Sequence, residues 1–197
     1  MALFRLTSAS ESMPVLHGTG IYLRAPAAAD FEAWAALRTA SRAFLEPWEP
    51  LWPGDDLTRG AFRRRIRRYA DEIRSDSAYP MFLFRSTDDA LIGGLTLGLV
   101  RRGVAQACTM GYWMGAAHAG HGHMTAAVVI ACRFAFGELG LRRVEAACLP
   151  HNERSIRLLR RLGFTQEGLA RRYLCIAGEW QDHLLFARLR DDPGLPL

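Results

Sequence analysis

A strand, a glycine-containing loop and a helix follow one another in the middle of the chain. Residues 106–115 have the mixed polarity of a strand, Gly120-His121-Gly122 marks a loop, and residues 124–139 have the apolar content of a helix. A strand that passes through a tight loop into a helix packs that helix against its own sheet. The segment therefore predicts a domain in which helices cover a β-sheet.

The rest of the chain alternates between strand and helix periodicity. Strands are predicted at residues 20–24, 80–85, 91–100, 143–149, 164–176 and 180–189, and helices at 30–42, 58–74 and 152–162. Three prolines within residues 44–53 predict an irregular loop there, because proline fixes its own φ and donates no hydrogen bond. We expect one mixed α/β domain over residues 15–192, an N-terminal segment 1–14 and a tail 193–197.

The basic residues restrict the chemistry. All 25 of them are arginine, and the net charge is +5. The absence of lysine excludes Schiff-base chemistry and a lysine general base. Arginine suits bidentate binding of phosphate or carboxylate, so we expect an anionic partner: a nucleotide-like cofactor, RNA or an acidic protein.

Cysteine spacing and hydropathy indicate the cellular compartment in which the protein functions. The four cysteines form no CxxC pair, which argues against a zinc ribbon or a secreted disulfide scaffold and favours a reducing cytoplasm. The longest apolar stretch, residues 124–132, is far shorter than the roughly 20 residues that a membrane helix needs. We expect a cytoplasmic protein without membrane contact.

The glycine loop has the features of an anion site. Gly120 and Gly122 let the backbone approach a phosphate closely, and the N-terminus of the following helix favours a negative charge. His118, His121 and His123 cluster here as well, but neither a carboxylate nor a cysteine accompanies them in the loop. We therefore expect no metal site.

The loop resembles the acetyl-coenzyme A pyrophosphate loop of the GNAT N-acetyltransferase superfamily, whose pattern is Q/R-x-x-G-x-G/A. Ala119 replaces the first residue of that pattern and Met124 replaces the last. Residues 41–50, 152–155 followed by 162–164, and 178–183 are similar to the substrate-side loop, the coenzyme-flanking helix and the last hairpin of ribosomal-protein-alanine N-acetyltransferases. The resemblance extends over roughly residues 20–191.

This resemblance implies a fold, a co-substrate and a binding site. The fold would be a mixed, mostly antiparallel sheet of six to seven strands flanked by about four helices. The co-substrate would be acetyl-coenzyme A, with no metal. The coenzyme-binding residues would be Tyr112, Trp113, Met114, Ala119, Gly120, His121, Gly122, His123, Met124, Thr125, Asn152 and Ser155.

The resemblance also implies catalytic roles. Glu167 would be the base, and Glu49 is the second candidate, better suited to attracting a positively charged N-terminus. Apart from the resemblance, Trp48 is a rigid aromatic residue in the proline-containing loop, where it can form a wall for the substrate peptide. One carboxylate suffices for an α-amine, because freeing such an amine at pH 7 costs only about 1 kcal/mol. Ser155 would donate to the coenzyme sulfur. Leu159 occupies the place of the tyrosine that other GNAT enzymes use, which excludes a tyrosine acid from this helix.

Three functions follow from these observations. The first is direct acetyl transfer, in a ternary complex, to a protein N-terminal amine such as the N-terminal alanine of a ribosomal protein. The second is the same chemistry on a small amine (a polyamine, an amino acid or an antibiotic). The third is a non-catalytic module that binds the ribosome or RNA through the arginine-rich helix predicted at residues 58–74, called the basic helix below. Ribosome contact would involve Arg63, Arg64, Arg65, Arg67 and Arg68, and the protein would be a monomer or a homodimer.

Overall fold

The computed structural model describes residues 13–194, which form one mixed sheet covered by helices on both faces. The strands are β1 (Leu16–Gly18), β2 (Ile21–Arg24), β3 (Tyr79–Arg85), β4 (Leu91–Arg101), β5 (Ala107–Met114), β6 (Arg143–Cys148), β7 (Thr165–Ile176) and β8 (Glu179–Leu189). The α-helices are α1 (Phe31–Ala40), α2 (Arg42–Leu45), α3 (Arg59–Arg74), α4 (His123–Phe136) and α5 (Glu153–Arg161). The strand order is β1-β2-β3-β4-β5-β6-β8-β7.

The predicted fold class is confirmed, with more elements than expected. Within the described residues the sheet has eight strands and the chain has five α-helices. Strand β1 is too short to show a periodicity in the sequence. The expectation of an irregular loop over residues 44–53 is wrong at its start, where α2 ends and a 3-10 turn spans Glu46–Trp48. Pro47 is tolerated there because it lies at the beginning of the turn, where its missing N–H has no partner to lose.

Two hydrophobic cores lie on opposite faces of the sheet. Strand β3 contributes to both: Met81 and Leu83 pack toward α4, whereas Phe82 and Phe84 pack with Trp34 of α1. Successive residues of a strand point to opposite faces, so a strand that is buried on both sides reads as a continuous apolar run. Helix α4 lies centrally in the larger core. No helix within residues 13–194 combines the length and the apolar character that crossing a bilayer requires.

The C-terminal end of α5 is fixed by a buried arginine. Arg188 on β8 is 2% exposed and donates hydrogen bonds to the backbone carbonyls of Leu162 (2.6 Å) and Pro193 (2.8 Å). A cation at the carboxyl end of a helix is favourable because the last carbonyls lack helical partners. Gly163 allows the guanidinium to approach: it has a φ of +74°, and a Cβ there would lie 2.1 Å from Arg188 Nη1.

We expect Gly163→Ala to destabilise the protein by about 2–5 kcal/mol, since it combines the cost of a left-handed alanine with the displacement of a buried guanidinium. The matched control is Gly140→Ala, where φ is +64° and no atom lies within 4 Å of the added Cβ. Thermal unfolding should show a clearly larger decrease in Tm for Gly163→Ala. Equal decreases would contradict the packing role of Arg188.

Candidate active site

The site begins where the two parallel strands separate. Strands β5 and β6 pair only over Ala107–Thr109 and Arg143–Glu145, after which β5 continues to Met114 and β6 to Cys148 without further pairing. The other strand pairs of the sheet are antiparallel. The separation leaves an opening between the carboxyl ends of β5 and β6, with unpaired backbone groups on its β5 side.

Strand register identifies these backbone groups. The N–H of Gly115 donates to Ile92 of β4 at 2.9 Å, so the amide of Trp113, two residues earlier, also faces β4. Backbone groups of successive strand residues face opposite sides. The N–H and C=O groups of Tyr112 and Met114 therefore point into the opening, where they can hydrogen-bond an extended ligand.

The glycine loop follows β5 and leads into α4. Gly120 and Gly122 have φ values of +86° and +82°, and a Cβ at either position would meet nothing within 4 Å. Gly122 precedes the first residue of α4, His123. The amides of the first helical turn have no intrahelical acceptors, and open space lies in front of them. The predicted glycine loop thus has the backbone geometry and the room that a pyrophosphate requires.

A hydrogen-bond chain links β5 to α5. Asn152 caps α5 by accepting a hydrogen bond from the backbone N–H of Ser155 at 3.2 Å. The Ser155 hydroxyl lies 2.8 Å from the Tyr112 hydroxyl. Burial raises the pKa of Tyr112 to about 12, so its hydroxyl keeps its proton. The cap uses only the backbone N–H of Ser155, so the Ser155 hydroxyl can contact both Tyr112 and a ligand.

These elements border one cleft of about 1170 Å³. The predicted site residues that line it are Trp48, Glu49, Tyr112, Trp113, Met114, Ala119, Gly120, Gly122, His123, Met124, Thr125, Asn152 and Ser155. His121 and Glu167 do not line it. His118, one of the three clustered histidines, also lines the cleft. Lining residues that the sequence analysis did not single out include Phe44, His151, Arg154, Arg157 and Arg161.

Glu49 is held by an aromatic and cationic cluster. Both carboxylate oxygens accept from Arg38, at 2.8 and 2.6 Å, and Oε2 also accepts from the Trp52 indole N–H at 2.8 Å. The Arg38 guanidinium carbon lies 4.0 Å from the Trp52 ring centre and 5.0 Å from that of Trp113. A bidentate arginine fixes the orientation of a carboxylate. Glu49 therefore keeps little free acceptor capacity, mainly on Oε1.

Glu167 lies on the other side of β6 from the opening. Strand β8 separates β6 from β7, so β7 is about 10 Å from β6, on the side away from β5. Both oxygens of Glu167 accept hydrogen bonds from Arg143, the first residue of β6. The Arg143 guanidinium lowers the pKa of Glu167, which makes it a weaker base. The position thus gives no support to Glu167 as the base.

His118 and His123, near the glycine loop, are weak bases. Burial first, and then neighbouring positive charges including Arg85, lower the pKa values of His118 and His123. The rings of His121 and His123 stack with centres 6.1 Å apart. Within residues 13–194 no three side chains of the metal-ligating types converge, and the absence of a metal remains a prediction.

Comparison with known proteins agrees with this geometry. Residues 21–165 match the acetyltransferase (GNAT) domain family. The chain is 37% identical to the probable N-acetyltransferase YjcK of Bacillus subtilis (strain 168), over 90% of this chain and 98% of the relative. It is 36% identical to the [ribosomal protein uS5]-alanine N-acetyltransferase of Escherichia coli (strain K12), over 84% of this chain and 87% of the relative.

A solved structure shows the same fold. RimJ of Mycobacterium smegmatis, in complex with CoA-disulfide, superposes with a TM-score of 0.85 and 31% identity, over 92% of this chain and 89% of that one. The family match covers well over half of the sequence, and the two curated relatives cover most of it. The chain is a member of the GNAT acetyltransferase family and is related to the ribosomal-protein N-acetyltransferases.

Proposed function

We propose that the protein transfers the acetyl group of acetyl-coenzyme A to the α-amine of a protein N-terminus, specifically the N-terminal alanine of a ribosomal protein. The observation that carries this proposal is the single cleft that joins the glycine loop to the wall formed by Trp48 and Glu49. Relatedness to the alanine N-acetyltransferase supports the acceptor, and the RimJ complex supports the coenzyme. The proposed localisation is cytoplasmic, which four free cysteines support.

The chain has groups suited to the pyrophosphate, the amide-bearing arm and the acetyl group of the coenzyme. The glycine loop suits the pyrophosphate, and Arg154, Arg157 and Arg161 line the same cleft from α5. Open backbone groups of Tyr112 and Met114 suit the amide-bearing arm between β5 and β6. The Met114 N–H is then placed to polarise the acetyl carbonyl in the manner of an oxyanion hole.

Direct attack by the amine fits the side chains of the cleft. No cysteine lines the cleft within the described residues. Burial raises the pKa of the Cys148 thiol to about 11 and those of Cys108 and Cys132 to about 12, so these thiols are poor nucleophiles. Ser155, with Tyr112 behind it, can donate a proton to the departing sulfur. Glu49 can orient the amine through its remaining acceptor site on Oε1.

The basic helix, α3, gives limited support to ribosome binding. Intramolecular ion pairs join Arg59 to Glu32, Arg64 to Asp55, Arg65 to Asp56, Arg68 to Glu72 and Arg74 to Asp71. Within residues 13–194, Arg63 and Arg67 make no such pair, so they are the arginines of this helix that offer uncompensated charge. Ribosome contact through α3 therefore remains a prediction that depends most on these two residues.

The proposed acceptor is tested by release of free thiol from acetyl-coenzyme A with peptides that differ only in their first residue. We expect turnover with a free N-terminal alanine, and none when the same peptide is already acetylated at its N-terminus. A panel of small amines is assayed in parallel. Turnover confined to small amines would contradict the proposed acceptor, and coenzyme binding without transfer to any acceptor would favour a binding module.

We expect Ser155→Ala to lower kcat by about 10- to 100-fold, because the proton donor to sulfur is lost. The change leaves the cap intact, since Asn152 accepts from the backbone N–H of residue 155. Asn152→Ala, which removes the cap, should instead lower the free energy of unfolding by about 1 kcal/mol. A normal kcat in Ser155→Ala would restrict Ser155 to a structural role.

Coenzyme A should bind more tightly in acid. The lowered pKa values keep His118 and His123 neutral at pH 7, and a bound phosphate stabilises their protonated forms, so affinity rises as the pH falls. The measured quantity is the Kd for coenzyme A at pH 7.5 divided by the Kd at pH 5.5, both determined by calorimetry. We expect this ratio to be about three- to tenfold larger for the wild-type protein than for a His118→Gln, His123→Gln double variant. The variant corrects for titration of the coenzyme itself. Equal ratios would contradict this expectation.

A further inference from the structure

The cleft contains an imidazole, that of His151, which is separate from the glycine loop and from the Arg38–Glu49 ion pair. Only Leu149 and Pro150 separate His151 from the end of β6, and His151 directly precedes Asn152, the cap of α5. Its backbone is fixed by the turn, in which Asn152 N–H donates to Leu149 at 2.9 Å and Glu153 N–H donates to the carbonyl of His151 at 3.0 Å. The position is therefore at the carboxyl end of β6, beside the opening between the parallel strands.

The ring of His151 faces the acceptor side of the cleft. It packs against Trp48, with ring centres 5.4 Å apart and an angle of 38° between the planes. Within residues 13–194 no hydrogen bond occupies either ring nitrogen, so both are available to a substrate or to water. Trp48 is 37% exposed and belongs to the same wall as Glu49. An amine held near Glu49 is thus close to an unengaged imidazole.

The other proton acceptors of the cleft are less suitable. Glu49 is saturated on Oε2 by Arg38 and Trp52. Tyr112 keeps its proton because burial raises its pKa to about 12. Glu153 pairs with Arg157 at 3.6 Å. His118 and His123 adjoin the glycine loop, and their lowered pKa values weaken them as bases.

We propose that His151 is the catalytic base, accepting the proton that the substrate's ammonium group loses before it attacks. The inference rests on the proposed transfer to an α-amine. One proton moves from the ammonium group to a ring nitrogen of His151, and from there to solvent. The amine nitrogen then bonds to the acetyl carbon while the carbon–sulfur bond breaks. The second proton leaves the nitrogen for solvent as the amide forms, the sulfur takes up a proton from Ser155, and Ser155 regains a proton from solvent.

The test combines two substitutions with chemical rescue. His151→Ala should lower kcat by about 100-fold at pH 7, with the KM for the peptide within threefold of wild type, because general-base catalysis contributes about 10²–10⁴ in rate. Added imidazole should restore turnover of His151→Ala, and substituted imidazoles should restore it in order of their basicity. The Kd for coenzyme A should be unchanged, which shows that the variant is folded.

His151→Phe separates proton transfer from packing, because phenylalanine preserves an aromatic contact with Trp48. It should be as slow as His151→Ala. The acid limb of its kcat/KM profile should move up to the pKa of the peptide amine, about 7.7–8.0. The matched control is His17→Ala on β1, outside the cleft, which should keep the wild-type rate and gain nothing from imidazole.

Two results would overturn the role of His151. One is a His151→Phe variant with a rate within threefold of wild type. The other is a slow His151→Ala variant that no imidazole accelerates. In both cases wild-type transfer to the peptide persists, so the proposed function stands. Absence of transfer by the wild-type protein to any peptide would instead contradict the proposed function itself.

Discussion

The site depends on the separation of two parallel strands. Hydrogen bonds hold β5 and β6 together over three residue pairs, and beyond Thr109 and Glu145 the backbone of β5 has a partner only on its β4 side. A row of unpaired amide and carbonyl groups within a sheet is unfavourable unless a ligand or water satisfies it. The same separation directs the glycine loop, the cap of α5 and His151 toward one cleft, since each follows the end of β5 or β6.

The acceptor side is built by segments that are distant in sequence. The backbone carbonyl of Glu49 accepts from the N–H of Ala177 at 2.9 Å in the β7–β8 hairpin, and the Ser41 hydroxyl accepts from Ala116 N–H at 2.9 Å beyond β5. Arg38, 8% exposed at its side chain, holds the Glu49 carboxylate from α1. The wall formed by Trp48 and Glu49 is thus attached to the sheet at several points, and a substrate amine would meet a prearranged surface.

Local patterns in the sequence predicted the elements that local forces determine. The glycine loop and the helix that follows it are readable because each depends on a few neighbouring residues. Glu167 illustrates what is not readable: its partner is Arg143, and that pairing follows from β8 lying between β6 and β7. The proposed role of His151 is likewise not readable from a local pattern, because it depends on packing against Trp48, which is distant in sequence. Its position between a strand and a capped helix is the feature of the sequence that points to it.

A crystal structure with a bisubstrate analogue most directly tests the proposed positions of the coenzyme and the peptide in the cleft. The analogue joins coenzyme A, through an acetyl bridge on sulfur, to the α-nitrogen of an alanine peptide. We expect the coenzyme arm between β5 and β6, the bridging carbonyl at the Met114 N–H, and the peptide nitrogen between Glu49 and His151. A peptide that instead lies across β7 near Glu167, or a coenzyme arm outside the opening, would contradict the proposed ternary complex.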